Sequence, residues 1–251
     1  MIKKCKNLLQ PLRGRVEQLL GKRRKRQLLA MLNGRGLEIG ALHLPVMAPH
    51  LDIQYVDRMS SDQLRQQYPE LEQLPLVEPD IIDDGEHLTK IPDESQDFVI
   101  ASHLIEHIPN PIQGLLNWQR VLKPQGRLYL AVPDRRFTFD RNRPLTDIAH
   151  LREDYENPSR ERDYLAYEEF ALQVSCREFN LRSESEYRAL AQELFDQHYS
   201  IHYHVWEDQS FMAFMAWMDR GFPPWKMSCM ATMPTRAGEF ALVLEKPVSE
   251  C

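Results

Sequence analysis

Five short apolar runs separated by helix and turn patterns constrain this chain more than any other feature. They are GLEI at 36–39, IQYVD at 53–57, DIIDD at 80–84, DFVIAS at 97–102 and RLYLAVP at 127–133. Runs of Val, Ile and Leu without strict alternation suit strands buried on both faces. They predict a parallel sheet with helices on each side. SSDQLRQQYPEL, after the second run, reads as a helix with Ser60 as N-cap and Gln63 closing a capping box. In NPIQGLLNWQRVL, Asn110 caps a further helix and Pro111 takes its first position. Near the end WKMSCMATM and GEFALVLEK, separated by PTRA, pair as a hairpin.

About 90 residues lie between the fifth run and that hairpin, far more than an ordinary crossover. Helical patterns cover roughly 146–156, 160–178 and 184–198. A last helix, EDQSFMAFMAWMDRG, places Phe211, Phe214, Met215 and Met218 on one face and stops at Gly221. That helix is the expected crossover, and 134–204 is an inserted helical cap that contributes to an acceptor site. The domain is then 36–133 with 205–251, preceded by a basic arm at 1–35.

Residues 1–26 carry ten Lys/Arg and one acid, whereas the rest carries 21 Lys/Arg and 36 Asp/Glu. An acidic body argues against a nucleic-acid-binding protein. In the arm Leu8, Leu9, Leu12, Val16, Leu19 and Leu20 recur at helical spacing. It reads as a helix packed on the domain, or as a peripheral contact with an anionic membrane through 1–26. No apolar run is long enough to span a bilayer, and the first residues lack the apolar core of a signal peptide. Cys5, Cys176, Cys229 and Cys251 form no CxxC pair. A cytoplasmic location is expected, peripheral at the inner face of the membrane if the arm meets lipid.

A parallel sheet of this kind binds ligands beyond the carboxyl ends of its strands. The stretch there, RGLEIGALHLP, holds one glycine past the strand, Gly40. A dinucleotide needs glycine-lined amides at a helix start for its pyrophosphate. Pro45 and Pro49 make a long helix after the turn improbable. NAD and FAD are disfavoured, and so is an oxidoreductase. S-adenosylmethionine (SAM) carries no phosphate. One close backbone approach at Gly40, Glu38 for the ammonium side and Asp57 for the ribose would suffice.

DDGEHLTKIPDESQDFVIASHLIEH and NWQRVLKPQGRLYLAVP resemble the class I SAM-dependent methyltransferases over residues 36 to 133, as does the closing hairpin. The common LKPGG stands here as LKPQG. The resemblance implies an α/β, Rossmann-like doubly wound, mostly parallel seven-stranded sheet with a C-terminal antiparallel hairpin, and SAM as cofactor. It places Asp84 near the adenine amino group. Ala41, Gly85 and Ser102 join Glu38, Gly40, Asp57 and Asp84 in the expected cofactor site. LEIGALHLP, YVDRMSSDQLRQQYPEL and PDRRFTFDRNRPLT resemble a bacterial methyltransferase group linked with surface-glycan assembly.

Methyl transfer to an alcohol needs alignment and a base. His103 follows the fourth strand directly and is the first candidate, with His204 second. His107 and His202 are candidate acceptor contacts. Arg135 and Arg136, in a loop that also holds Arg141 and Arg143, suit an anionic acceptor. His198, His202 and His204 lack an obvious paired carboxylate or cysteine, so no metal is assigned to them. The expected function is O-methylation of a sugar-containing or other small anionic acceptor. The alternative is a non-catalytic binding module of the same fold in a glycan-assembly complex.

Overall fold

The structure, a computed structural model, describes residues 21–175 and 183–248. Most of the basic arm, the end of the second cap helix and three of the four cysteines lie outside them. Seven strands form one sheet in the order β3-β2-β1-β4-β5-β7-β6. They are β1 (Arg35–Ile39), β2 (Asp52–Asp57), β3 (Ile81–Ile82), β4 (Gln96–Ser102), β5 (Leu122–Pro133), β6 (Ser228–Arg236) and β7 (Glu239–Glu245). β1 to β5 are parallel, and β7 inserts antiparallel between β5 and β6. The chain order reverses beside β1, which puts the switch point between β1 and β4.

Alternation along the central strands sorts two cores. Leu37, Val99, Ala101, Leu128 and Leu130 face one side, packed with Trp118, Phe211, Phe214 and Met218. Phe98, Ile100, Tyr129 and Val243 face the other, packed with Leu28, Leu29 and Leu32. Residues 21–29 form helix α1, so the described end of the basic arm is a sheet-covering helix. Lys25 on it pairs with Glu239 at 3.3 Å.

Capping chemistry fixes the remaining helices where expected. α2 (Ser61–Gln67) has the Ser60–Gln63 capping box, and Pro69 ends it in a 3-10 turn. α3 (Pro111–Val121) starts at Asn110, whose side chain accepts from Gln113 N–H at 3.0 Å. The hairpin turn differs from expectation by a register. PTR belongs to β6, and the turn is Ala237–Gly238, both with positive φ, the two-residue turn that matches strand twist.

After β5 come α4 (Ile148–Glu156), α5 (Arg160–Phe170) and α6 (Glu184–Asp196), then α7 (Asp208–Gly221). α7 buries Phe211, Phe214, Met215 and Met218 as expected. α5 passes into a π-turn at Ala171–Ser175. α5 and α6 share a small core of Tyr167, Ala171, Ala191, Phe195 and Ile201. No described helix is long and apolar enough to cross a membrane.

Candidate functional site

A cavity of about 1280 Å³ opens at the carboxyl ends of β1, β2 and β4. Its floor is Ile39, Gly40, Asp57, Asp84 and Gly85; its far wall comes from α4, α5 and residues 198–203. Gly40 adopts φ +68 and its N–H donates to Val56 carbonyl at 2.9 Å, so the chain turns sharply beside the floor. A Cβ at Gly85 would meet Ile39 Cγ2 at 3.0 Å. Trp118 Nε1 donates to the Gly85 carbonyl at 2.8 Å and pins that turn from below.

Residues 41–50 form no helix, in keeping with Pro45 and Pro49. Leu42 in this loop has φ +47, costly for a branched side chain. What holds the loop is Glu38. It is buried, and Val46 N–H donates to both its carboxylate oxygens at 2.9 and 3.0 Å. Burial pushes its pKa up to about 7, against the Val46 hydrogen bond and the Lys25 charge. Glu38 therefore braces the turn and does not line the cavity, contrary to the ammonium contact expected of it. Side chains alternate along β1, so Leu37 and Ile39 take the face of the larger core and Glu38 the other.

Asp57 ends β2 at the cavity with Oδ1 accepting from Arg58 N–H at 2.7 Å, and burial raises its pKa. Asp83, outside the cavity, accepts from Asp84 N–H, the Thr89 hydroxyl and Lys90 N–H and holds the next loop. Asp84 lines the cavity, and its Oδ1 caps Glu86 and His87 N–H. Ala41 and Ser102 do not line it, since each precedes or follows the lining residue by one position.

His103 lies in the left-handed region at φ +53, which swings its ring off the β4 line toward the cavity. Its side chain is 46% exposed, and Nε2 lies 2.8 Å from Glu239 Oε2. Burial lowers its pKa, but the Glu239 hydrogen bond and the Glu106 and Glu239 charges outweigh that and leave it raised. His107 also lines the cavity; Nδ1 lies 2.9 Å from the Ile201 carbonyl and from Ser200 Oγ.

His202 and His204 sit behind that wall. His202 Nδ1 lies 2.6 Å from Asp140 Oδ2. His204 is 2% exposed in its side chain, with Nε2 3.2 Å from the Pro109 carbonyl and its pKa lowered by burial to about 3. A ring enclosed in that way cannot reach an acceptor, so His204 is not available as the second base.

Arg135 and Arg136 are likewise engaged elsewhere. Arg135 Nε pairs with Glu207 at 2.9 Å. Arg136 pairs with buried Asp134 at 2.5 Å and with Asp208 at 3.1 Å. Both guanidinium groups tie the β5 loop to α7, and neither lines the cavity. The two guanidinium groups placed by sequence as anion contacts are thus engaged by Asp134, Glu207 and Asp208.

Several lining groups had no role in the sequence reading. Glu86, its pKa raised by burial to about 7, accepts from Asn110 N–H at 3.2 Å. Arg58 donates to Tyr68 hydroxyl and Gln67, and Arg162 to Asp154 at 3.0 Å. Glu239 and Asp140 reach their histidines from 136 and 62 residues away. No local pattern could have announced those pairs.

The methyltransferase domain family matches residues 35–130, the span from β1 into β5 that builds the cavity floor. The match is to a methyltransferase domain and spans these residues alone. Among solved structures, this chain is similar to a protein from Pyrococcus horikoshii at 16% identity, with 94% of this chain and 91% of that one covered and a TM-score of 0.47. A SAM-dependent methyltransferase from Methanosarcina mazei is 13% identical over 87% and 94% of the two chains, TM-score 0.42. One from Thermotoga maritima, described as a possible histamine N-methyltransferase, is 16% identical over 88% and 87%, TM-score 0.43. No curated protein matches this sequence.

SAM fits the floor. The backbone comes close at Gly40 and Gly85, a half-buried acid stands at Asp57, and no row of phosphate-binding amides at a helix start is present among the described residues.

Proposed function

We propose that this methyltransferase transfers the SAM methyl group to a hydroxyl of a sugar-like acceptor, with His103 as the base. SAM supplies an electrophilic methyl on a sulfonium. In this reading Gly40 and Gly85 give it room, Asp57 accepts from its ribose hydroxyls and Asp84 lies toward the adenine.

The observation that carries the proposal is the His103–Glu239 pair at the cavity wall. Glu239 accepts from Nε2–H, which leaves the Nδ1 lone pair for an acceptor proton. The Glu239 carboxylate then stabilises the imidazolium that forms. Across from it, Tyr68, Tyr155, Tyr167, Tyr199, Ser200 and Tyr203 line the cap side. Aromatic faces beside hydroxyl and amide groups suit a polyhydroxylated ring. Acids outnumber arginines around the cavity, and Arg135 and Arg136 are engaged, so a neutral sugar hydroxyl fits better than an anionic acceptor. A glycan-assembly setting agrees with such an acceptor.

The test is methyl transfer from isotope-labelled SAM to a panel of neutral oligosaccharides and glycosides, read by mass spectrometry. A labelled methyl ether supports the reading. Label on amine acceptors with none on any hydroxylated one would overturn it.

A further inference from the structure

Glu106 is the most anomalous buried group of the described residues. Its side chain is 1% exposed, and neither carboxylate oxygen has a hydrogen-bond partner. A buried carboxylate without partners costs several kcal/mol, so native proteins rarely keep one without an ion, a water or a function beside it. His103 Nδ1 lies 3.9 Å from its Oε1, and two further imidazoles stand next to it. One ligand-capable atom from each of Glu106, His107 and His202 lies within 4.8 Å of the other two.

The imidazoles are oriented as metal ligands are. His202 Nδ1 is held by Asp140 at 2.6 Å, and Asp140 is itself fixed by Arg143 at 2.9 Å. His107 Nδ1 is held by the Ile201 carbonyl at 2.9 Å. In each ring the outer nitrogen carries the proton and donates, and Nε2 keeps its lone pair with no partner among the described residues. A second sphere of carboxylate and carbonyl acceptors is what fixes the tautomer of ligating histidines. The backbone completes the preparation. Tyr203 N–H and His204 N–H both donate to the Glu106 carbonyl, at 2.7 and 3.3 Å, which clamps the 201–204 segment over Glu106.

We infer that Glu106, His107 and His202 bind a divalent transition-metal ion of the zinc class. Two imidazole nitrogens and one carboxylate are a borderline donor set that suits zinc and its neighbours better than magnesium or calcium. Metal–ligand bonds of about 2.0–2.2 Å require the three side chains to draw in slightly. His107 lines the cavity and His103 Nδ1 lies 3.9 Å from Glu106 Oε1, so an open position on the ion would stand beside the acceptor space. An acceptor oxygen or a water would fill it, and an acceptor oxygen there would be polarised beside His103. That catalytic use rests on the function proposed above; the ion binding does not.

A second group, His150, Asp154 and His204, has similar spacing. It is a poorer site: His150 is exposed and already pairs with Asp154 at 3.2 Å, Arg162 holds the other oxygen, and His204 Nε2 faces the Pro109 carbonyl.

The test uses the full, tag-free chain stripped with a chelator. Zn²⁺ titrated calorimetrically should bind at one ion per chain, and Co²⁺ in its place should give the visible absorption of a four-coordinate nitrogen–oxygen site. Glu106→Gln and His202→Ala should abolish that spectrum, and Asp140→Asn should weaken Zn²⁺ about 10–100-fold. SAM calorimetry on each variant checks that the fold survives. Wild-type protein that takes up no stoichiometric Zn²⁺ or Co²⁺ would overturn the inference without touching the methyl-transfer reading. So would variants at Glu106 and His202 that bind like wild type, or binding lost only in Asp154→Asn.

Discussion

The two walls of the cavity spend their polar groups differently. Beneath the floor, carboxylates that lie outside the cavity brace the turns that form it: Glu38 holds Val46 N–H, and Asp83 holds Asp84 N–H, the Thr89 hydroxyl and Lys90 N–H. Every such contact spans eight residues or fewer. On the opposite wall, side chains serve one another across long stretches of chain, as in His103 with Glu239 and His202 with Asp140. The floor is shaped by local turns and is therefore generic. The wall is shaped by the cap and the closing hairpin, and there the chemistry particular to this chain resides.

The contrast predicts that variants in the wall change turnover while variants in the floor change cofactor affinity or stability. The largest effect is expected at His103. A positioned base contributes about 10²–10⁴-fold, so His103→Ala should lower kcat by that order and leave SAM affinity in calorimetry unchanged. Glu239→Gln should lower kcat less, because it keeps a hydrogen-bond partner but loses the charge that stabilises the imidazolium. Near-native turnover of His103→Ala would place the chemistry elsewhere on the wall. A joint loss of SAM binding would erase the distinction between wall and floor.

Asp57→Ala should come next. A hydrogen bond to a charged group is worth about 1.5–3 kcal/mol, so SAM affinity should fall roughly tenfold or more, with kcat at saturating SAM little changed. Titration calorimetry reads this directly. Unchanged affinity would mean that the ribose lies elsewhere.

How far the sequence could be read follows the same division. Strand runs, the Ser60 and Asn110 caps and the helix-breaking prolines after β1 act over a few residues, and each is found where its chemistry put it. Gly40, Asp57, Asp84 and Gly85 sit at strand ends and were legible for that reason. Glu38 turns away from the cavity because strand parity, and not its position beside Gly40, decides which face it takes. Arg135, Arg136 and His204 were misjudged because their partners, Glu207, Asp134, Asp208 and the Pro109 carbonyl, come from packing that no local pattern encodes. Glu106 had a visible signal. HLIEH sets an acid among histidines, but its remoteness from His202 in sequence concealed the match.

The smallest effect separates bracing from binding at Glu38. Its pKa is raised from 4.5 to about 7 because burial disfavours its charge. The unfolded chain releases that proton near the ordinary value, so between about pH 4.5 and 7 the folded protein holds more protons than the unfolded one. Stability from this group is then full below that window and is lost as pH rises through it. Glu38→Gln keeps an oxygen for Val46 N–H and has nothing to ionise. Its Tm relative to wild type should therefore improve between roughly pH 5 and pH 8. Each pKa unit corresponds to about 1.4 kcal/mol, so about 1–3 kcal/mol is at stake, a few degrees for a chain of this size. SAM affinity should change little, since the carboxylate faces the loop and not the cavity. A Tm difference that stays constant with pH would show that Glu38 remains ionised. A large loss of SAM binding at unchanged stability would return Glu38 to the cofactor site and move the boundary between floor and scaffold.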